Sequence, residues 1–171
     1  MFDLVVLEAA EHLLEVCKRK GLTVATAESC TGGLVAGAIS AISGSSSVLD
    51  RGFVTYSNAA KEQMLGVRPT TLDAHGAVSR ECAEEMAKGA LEHAGVDLTV
   101  SITGIAGPTG GTPEKPVGLV HFAAASRSGH LIVYEGRYGD VGRSQVRRLS
   151  LLQALAMLNE LADAEEAAAE S

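Results

Sequence analysis

Leu22-Thr23-Val24-Ala25-Thr26-Ala27-Glu28-Ser29-Cys30-Thr31-Gly32-Gly33, running into Leu34-Val35-Ala36-Gly37-Ala38-Ile39, decides how this chain is read. The apolar, β-prone run predicts a short buried strand over 22–28. It ends in a hydroxyl, a thiol, a second hydroxyl and two glycines. A small-residue helical pattern over 31–42 then takes over, suited to close packing on a sheet. This is a strand-to-helix turn with nucleophiles at its apex. Backbone N–H groups at a helix start have no intrahelical acceptor, so they can stabilise an oxyanion or hold a phosphate.

Working outward, apolar spacing at Leu4, Leu7, Leu13, Leu14 and Cys17, with Lys18-Arg19-Lys20 and the stop Gly21, predicts a helix over 4–20. Ser43 to Ser47 reads as a loop and Arg51 to Ser57 as a strand. Asn58 reads as the N-cap of a short helix ending at Leu65, broken by Gly66 to Pro69. A turn over 71–75 leads to Ser79, the N-cap of a helix to about Ala94. Residues 97–103 are the clearest strand. The loop from Gly104 to Pro116 holds four glycines and three prolines. Residues 117–125 and 130–138 form an antiparallel hairpin around Arg127-Ser128-Gly129. A last helix spans 142–161, and the Ala/Glu-rich tail 162–171 is expected to fray. Alternating helices and strands predict one α/β layered domain over 1–161. In such sheets ligands bind at the carboxyl ends of strands. The segments around Ser29, Tyr56 and Gly104 all follow predicted strands, so they can converge on one edge.

Composition narrows the function classes. The chain has 171 residues, 46% hydrophobic and 20% charged, as expected of a globular protein with one core. No apolar run reaches the roughly 18 residues of a membrane span. The N-terminus lacks the basic start of a signal peptide, so a cytoplasmic location and no membrane partner are expected. The net charge is −7, but five acids lie in the last twelve residues, leaving 14 bases and 16 acids over 1–159. The folded part thus carries no basic stripe, which argues against nucleic-acid binding. Cys17, Cys30 and Cys82 are odd in number and widely spaced, forming neither a disulfide framework nor a zinc pattern. The five histidines form no closely spaced pair, so no metal site is expected.

Three residue types carry the chemistry. Ser29 needs a base, because an alcohol is a poor nucleophile until its proton is removed. No histidine follows a strand in the right region. Lys61 supplies a base if burial and the helix N-terminus lower its pKa from about 10.4 towards 7–8. Tyr56, ending the preceding strand, can relay a proton or orient Lys61 or Ser29. Cys30 competes with Ser29, since a thiol is the stronger nucleophile and a helix N-terminus lowers its pKa. With Glu28 and a lysine it would suggest an amidase of the nitrilase type, and the residues alone leave both nucleophiles open. Thr103-Gly104-Ile105-Ala106-Gly107 opens a glycine-rich loop suited to close backbone approach to an anion. It is neither a Walker loop nor a dinucleotide fingerprint.

Five segments occur in order: Ala27 to Gly33, Arg51 to Asn58, Gly76-Ala77-Val78-Ser79, Thr103 to Pro108, and Glu114-Lys115-Pro116-Val117-Gly118. Over about residues 5–160 the chain closely resembles the CinA C-terminal domain family, whose stand-alone members are nicotinamide-nucleotide amidases. The resemblance implies a three-layer α/β/α sandwich with a mixed, mostly parallel sheet, no metal or cofactor, and a homo-oligomer. It implies hydrolysis of nicotinamide mononucleotide to nicotinic acid mononucleotide and ammonia. By motif, Ser29 is the nucleophile and Lys61 and Tyr56 are its partners. The substrate-binding set is Cys30, Thr31, Gly32, Gly33, Asn58, Thr103, Gly104, Ile105, Ala106, Gly107 and Arg143. Family members often carry Gly-Asp-Arg before the last helix. Here Val141-Gly142-Arg143 aligns there; Arg143 matches and Asp140 is displaced. The alternative function is a non-catalytic nucleotide-binding or competence/damage-related interaction module.

Overall fold

The computed structural model describes residues 1–167. Helix α1 (Leu4–Lys20) is capped by Asp3, whose carboxylate accepts the Val6 N–H at 3.1 Å. Strand β1 (Val24–Glu28) leads to α2 (Leu34–Ser40), then β2 (Leu49–Val54), α3 (Asn58–Leu65), α4 (Pro69–His75) and α5 (Arg80–Ala94). Strand β3 (Leu98–Gly104), the hairpin β4 (Leu119–Ser126) and β5 (Leu131–Arg137), and α6 (Arg143–Ala164) complete the chain.

One sheet has the order β2-β1-β3-β4-β5. β1 pairs in parallel with β2 and β3, while β4 is antiparallel to both neighbours. The sheet is therefore mixed, as the resemblance implied, with two parallel and two antiparallel pairings rather than mostly parallel ones. Every residue of β1 is buried, because helices cover both faces. Val24, Leu98, Val100, Ile102, Val120 and Phe122 pack under α1, α2 and α6. Ala25, Ala27, Ala123 and Ala125 face α3 and α5 instead. The alternating hydroxyls of β3 settle α5 on that face: Thr99 donates to the Ala87 carbonyl at 2.8 Å and Ser101 to the Ala83 carbonyl at 2.5 Å. Polar residues thus sit in a fully buried strand with their hydrogen bonds satisfied.

Several boundaries differ from the sequence expectation, among them β2, which covers Leu49–Val54 and so stops two residues short of Tyr56. Thr31 to Gly33 form a turn, not a helical start, with Gly32 and Gly33 at φ 58° and 102°. Ser57, not Asn58, is the N-cap of α3, accepting the Ala60 N–H at 3.0 Å. The turn at 71–75 is the helix α4, opened by Pro69 at its first position, where a missing N–H costs nothing. The tail does not fray at 162. α6 continues to Ala164, Ala162 is buried, and the Lys20 ammonium caps the helix by donating to the Ala162, Asp163 and Glu165 carbonyls at 2.7–2.9 Å. The end of the tail, 168–171, lies outside the described residues. No described helix is long and apolar enough to cross a membrane.

α3 approaches α5 at a glycine. A Cβ on Gly89 would run into the Leu65 carbonyl at the end of α3. Gly89→Ala is therefore expected to destabilise the fold by more than about 2 kcal/mol, lowering Tm by roughly 4–8 °C. Thermal unfolding by calorimetry checks this, and activity should fall with it, since α3 carries Lys61.

Candidate active site

The site forms where β1, β2 and β3 end. Ser29 follows β1, and its N–H donates to the Ile102 carbonyl of β3 at 3.0 Å. Its side chain is buried at the floor of a cleft of about 270 Å³. Lys61 is the fourth residue of α3, where it shares the buried stripe with Leu65, one turn on. Its side chain is 1% exposed, and Nζ lies 3.1 Å from Ser29 Oγ. Nζ also donates to the Thr55 carbonyl at 2.9 Å and to the Tyr56 carbonyl at 3.3 Å. No carboxylate pairs with it among the described residues. Loss of hydration therefore pulls the Lys61 amine below the ordinary lysine range, with the neighbouring Cys82 and Cys30 thiols acting in the opposite direction.

The Tyr56 side chain takes a different place from the one expected. Its ring is 59% exposed and its hydroxyl accepts a hydrogen bond from Arg143 Nη2 at 2.8 Å. It is the Tyr56 carbonyl, not the phenol, that meets Lys61. Arg143 opens α6, and its Nη1 donates to the Gly107 carbonyl at 2.9 Å. It thus joins the mouth of the cleft to the glycine-rich loop. Asp140 is exposed and lies outside the cleft.

Cys30 and Glu28 do not form a nitrilase-like pair. Glu28 is fully buried and accepts hydrogen bonds from the Val35 and Ala36 amides at 2.9 and 3.1 Å and from the Thr26 hydroxyl at 3.0 Å. It fills the N-terminus of α2, so that helix end is closed to a ligand. Burial pushes the Cys30 thiol up to about 11, which suppresses the thiolate.

Besides Ser29 and Lys61, Cys30, Tyr56, Asn58, Thr103, Gly104, Ile105, Ala106, Gly107 and Arg143 line the cleft. The Thr31 side chain, Gly32 and Gly33 do not; they form the turn beneath it. Gly104 is a glycine for packing, since a Cβ there would lie 2.7 Å from Val120 and 2.8 Å from the Leu119 carbonyl. The substrate-binding set left out four lining residues, two of them within the glycine-rich loop already read as a binding segment. Thr109 and Gly110 lie further along the same loop, and Ala77 and Val78 precede the Ser79 cap. The Thr103 hydroxyl places that last pair by donating to the Ala77 carbonyl at 2.8 Å.

Comparison with known proteins identifies the family and the fold. Residues 7–162 match the family model of the CinA C-terminal domain. Over 159 residues the chain is 52% identical to the nicotinamide-nucleotide amidohydrolase PncC of Escherichia coli K12, covering 92% of this chain and 95% of that protein. It is 53% identical over 139 residues to a CinA-like protein of Anaeromyxobacter dehalogenans, of which it spans 34%. The crystal structure of the competence/damage inducible protein CihA of Agrobacterium tumefaciens superimposes with a TM-score of 0.93 at 52% identity, covering 94% of this chain and 98% of the other. The chain belongs to the CinA C-terminal domain family.

Proposed function

We propose that this protein is a serine-type amidohydrolase that converts nicotinamide mononucleotide to nicotinic acid mononucleotide and ammonia. The observation that carries the reading is the buried Lys61 amine 3.1 Å from Ser29 Oγ, with two carbonyls as its other neighbours. A neutral amine has two N–H donors and one lone pair. As an ammonium Nζ donates to all three neighbours; as a neutral amine it gives both N–H groups to the Thr55 and Tyr56 carbonyls, which leaves the lone pair for the Ser29 hydroxyl proton. The substrate is supported by the name of the Escherichia coli relative, which is similar over nearly its whole length.

In this reading Ser29 Oγ attacks the carboxamide carbon as its proton passes to Lys61. The carbonyl oxygen becomes an oxyanion, facing the Cys30 and Thr31 amides, which donate to no backbone carbonyl among the described residues. Collapse breaks the C–N bond, and the Lys61 proton leaves with nitrogen as ammonia. An acyl ester on Ser29 remains. Water attacks it while giving a proton to Lys61. The C–O bond to Ser29 then breaks, the serine takes that proton back, and the nicotinic acid product ionises. Arg143, the one guanidinium lining the cleft among the described residues, is assigned to the nucleotide phosphate in this reading. Tyr56 acts through its carbonyl on Lys61 and through its hydroxyl on Arg143.

Purified protein in the presence of a chelator is expected to release one ammonia per nicotinamide mononucleotide, with turnover of roughly 1–1000 s⁻¹. A glutamate dehydrogenase-coupled assay checks this. A folded protein that binds the nucleotide and releases no ammonia overturns the reading.

A further inference from the structure

One face of α6 carries two guanidinium groups a helical turn apart. Arg143 reaches the cleft, while Arg147 reaches the back of the nucleophile turn. Arg147 Nε donates to the Cys30 carbonyl at 3.1 Å and Nη2 to the Thr31 carbonyl at 3.3 Å. Resting on the amidase reading, we infer that Arg147 is a positioning residue that aims and polarises the oxyanion-binding amides next to Ser29.

Peptide planarity carries the argument. The Cys30 carbonyl shares a rigid plane with the Thr31 N–H, and in a trans peptide the two point in opposite directions. Fixing the carbonyl from behind therefore fixes the N–H on the far side of the turn. The second contact works one plane further on. The Thr31 carbonyl shares its plane with the Gly32 N–H, which donates to the Ser29 carbonyl at 3.0 Å. That carbonyl shares its own plane with the Cys30 N–H. One guanidinium thus sets three consecutive peptide planes, two of which carry the free amides. A cation on a carbonyl oxygen also draws electron density from the attached nitrogen and strengthens its N–H as a donor. The planar fork of arginine matches two carbonyls at once, which a lysine ammonium cannot do with the same geometry. Gly32, at φ 58°, lies under the fork, where a Cβ would be 3.5 Å from Arg147 Nη2. Arg147 does not line the cleft and touches no substrate in this reading.

The test compares wild type, Arg147→Met and Arg147→Lys by steady-state hydrolysis of nicotinamide mononucleotide, and by the rate at which phenylmethylsulfonyl fluoride modifies Ser29, read by intact mass. The sulfonylation transition state draws on the same amides without needing the natural substrate. Arg147→Met is expected to lower kcat by about 100-fold with KM within about threefold, and to slow sulfonylation by about 30-fold. Arg147→Lys should recover about tenfold of the lost kcat. A folded Arg147→Met with both rates within about threefold of wild type overturns the inference, as does a KM increase at constant kcat. If Arg147→Met does not fold, Arg147→Lys decides: a roughly tenfold loss of kcat at constant KM supports the inference, and no loss overturns it. A wild type that is sulfonylated at Ser29 but releases no ammonia overturns the amidase reading alone, and Arg147 is then judged on its sulfonylation ratio. A wild type that does neither overturns both.

Discussion

Ser29→Ala should retain less than about 10⁻⁴ of the wild-type kcat for ammonia release while still binding nicotinamide mononucleotide. The size follows from the chemistry. Without Oγ there is no acyl intermediate, and the remaining amides can only assist direct attack by water. Calorimetry should give a nucleotide affinity within about tenfold of wild type, because Ser29 supplies the floor of the cleft and not its anion contact. Cys30→Ala makes the complementary experiment. A thiol held up at about 11 is protonated at neutral pH, so its loss should leave most of the turnover intact. Turnover that survived Ser29→Ala and vanished with Cys30→Ala would reverse the assignment.

Lys61→Met should lower kcat/KM by about 10³-fold or more, and at the same time make the protein more stable by about 1 kcal/mol, or roughly 2–4 °C in Tm. The two effects have one cause. Burial without an anionic partner makes the charged amine costly, and that cost keeps the lone pair available. The pH dependence follows with a definite sign. The folded-state pKa lies below the ordinary value of 10.5, so in the interval between them the unfolded chain binds more protons than the folded one. Wild-type stability therefore falls as pH drops through that interval, and the advantage of Lys61→Met is greatest at the acid side and vanishes as pH rises to 10.5. Wild-type kcat/KM should rise with pH through the lowered Lys61 pKa. Pre-equilibrium thermal scans and pH–rate profiles of both proteins check the pair of statements. A variant less stable than wild type and fully active would remove Lys61 from the mechanism.

The elements legible in the sequence were those with a single strong cause. α1 announced itself by an apolar stripe, a basic last turn and a terminal glycine, α5 by its Ser79 cap, and β1 and β3 by continuous apolar or hydroxyl-bearing runs buried on both faces. α4 was read as a turn because seven residues are too few to show a period. The Thr31–Gly33 turn was read as helix because its glycines continue a small-residue pattern. At the site, Ser29 and Lys61 were legible as reactive types after strands. Their contact is not, because it depends on how closely α3 docks against α5, and Gly89 sets that at a distance of 28 positions from the lysine. The true attachment of Tyr56 was hidden for a related reason. Its main-chain carbonyl does the work at Lys61, and a carbonyl leaves no mark in the residue alphabet. Glu28 was visible as an acid beside a thiol, yet its partners are amides of the following helix.

Gly89 also bears on any attempt to move the proposed serine–lysine chemistry to another scaffold. A serine and a lysine copied onto a new backbone would carry no reactivity, because the amine would stay hydrated and charged. What must travel is a strand ending in the serine, the helix bearing the lysine, and a second helix with a notch of one missing methyl group. The depth of that notch decides how far the amine is drawn from water. The smallest transferable unit is therefore an arrangement of backbones, and the two reacting side chains are its last and easiest part.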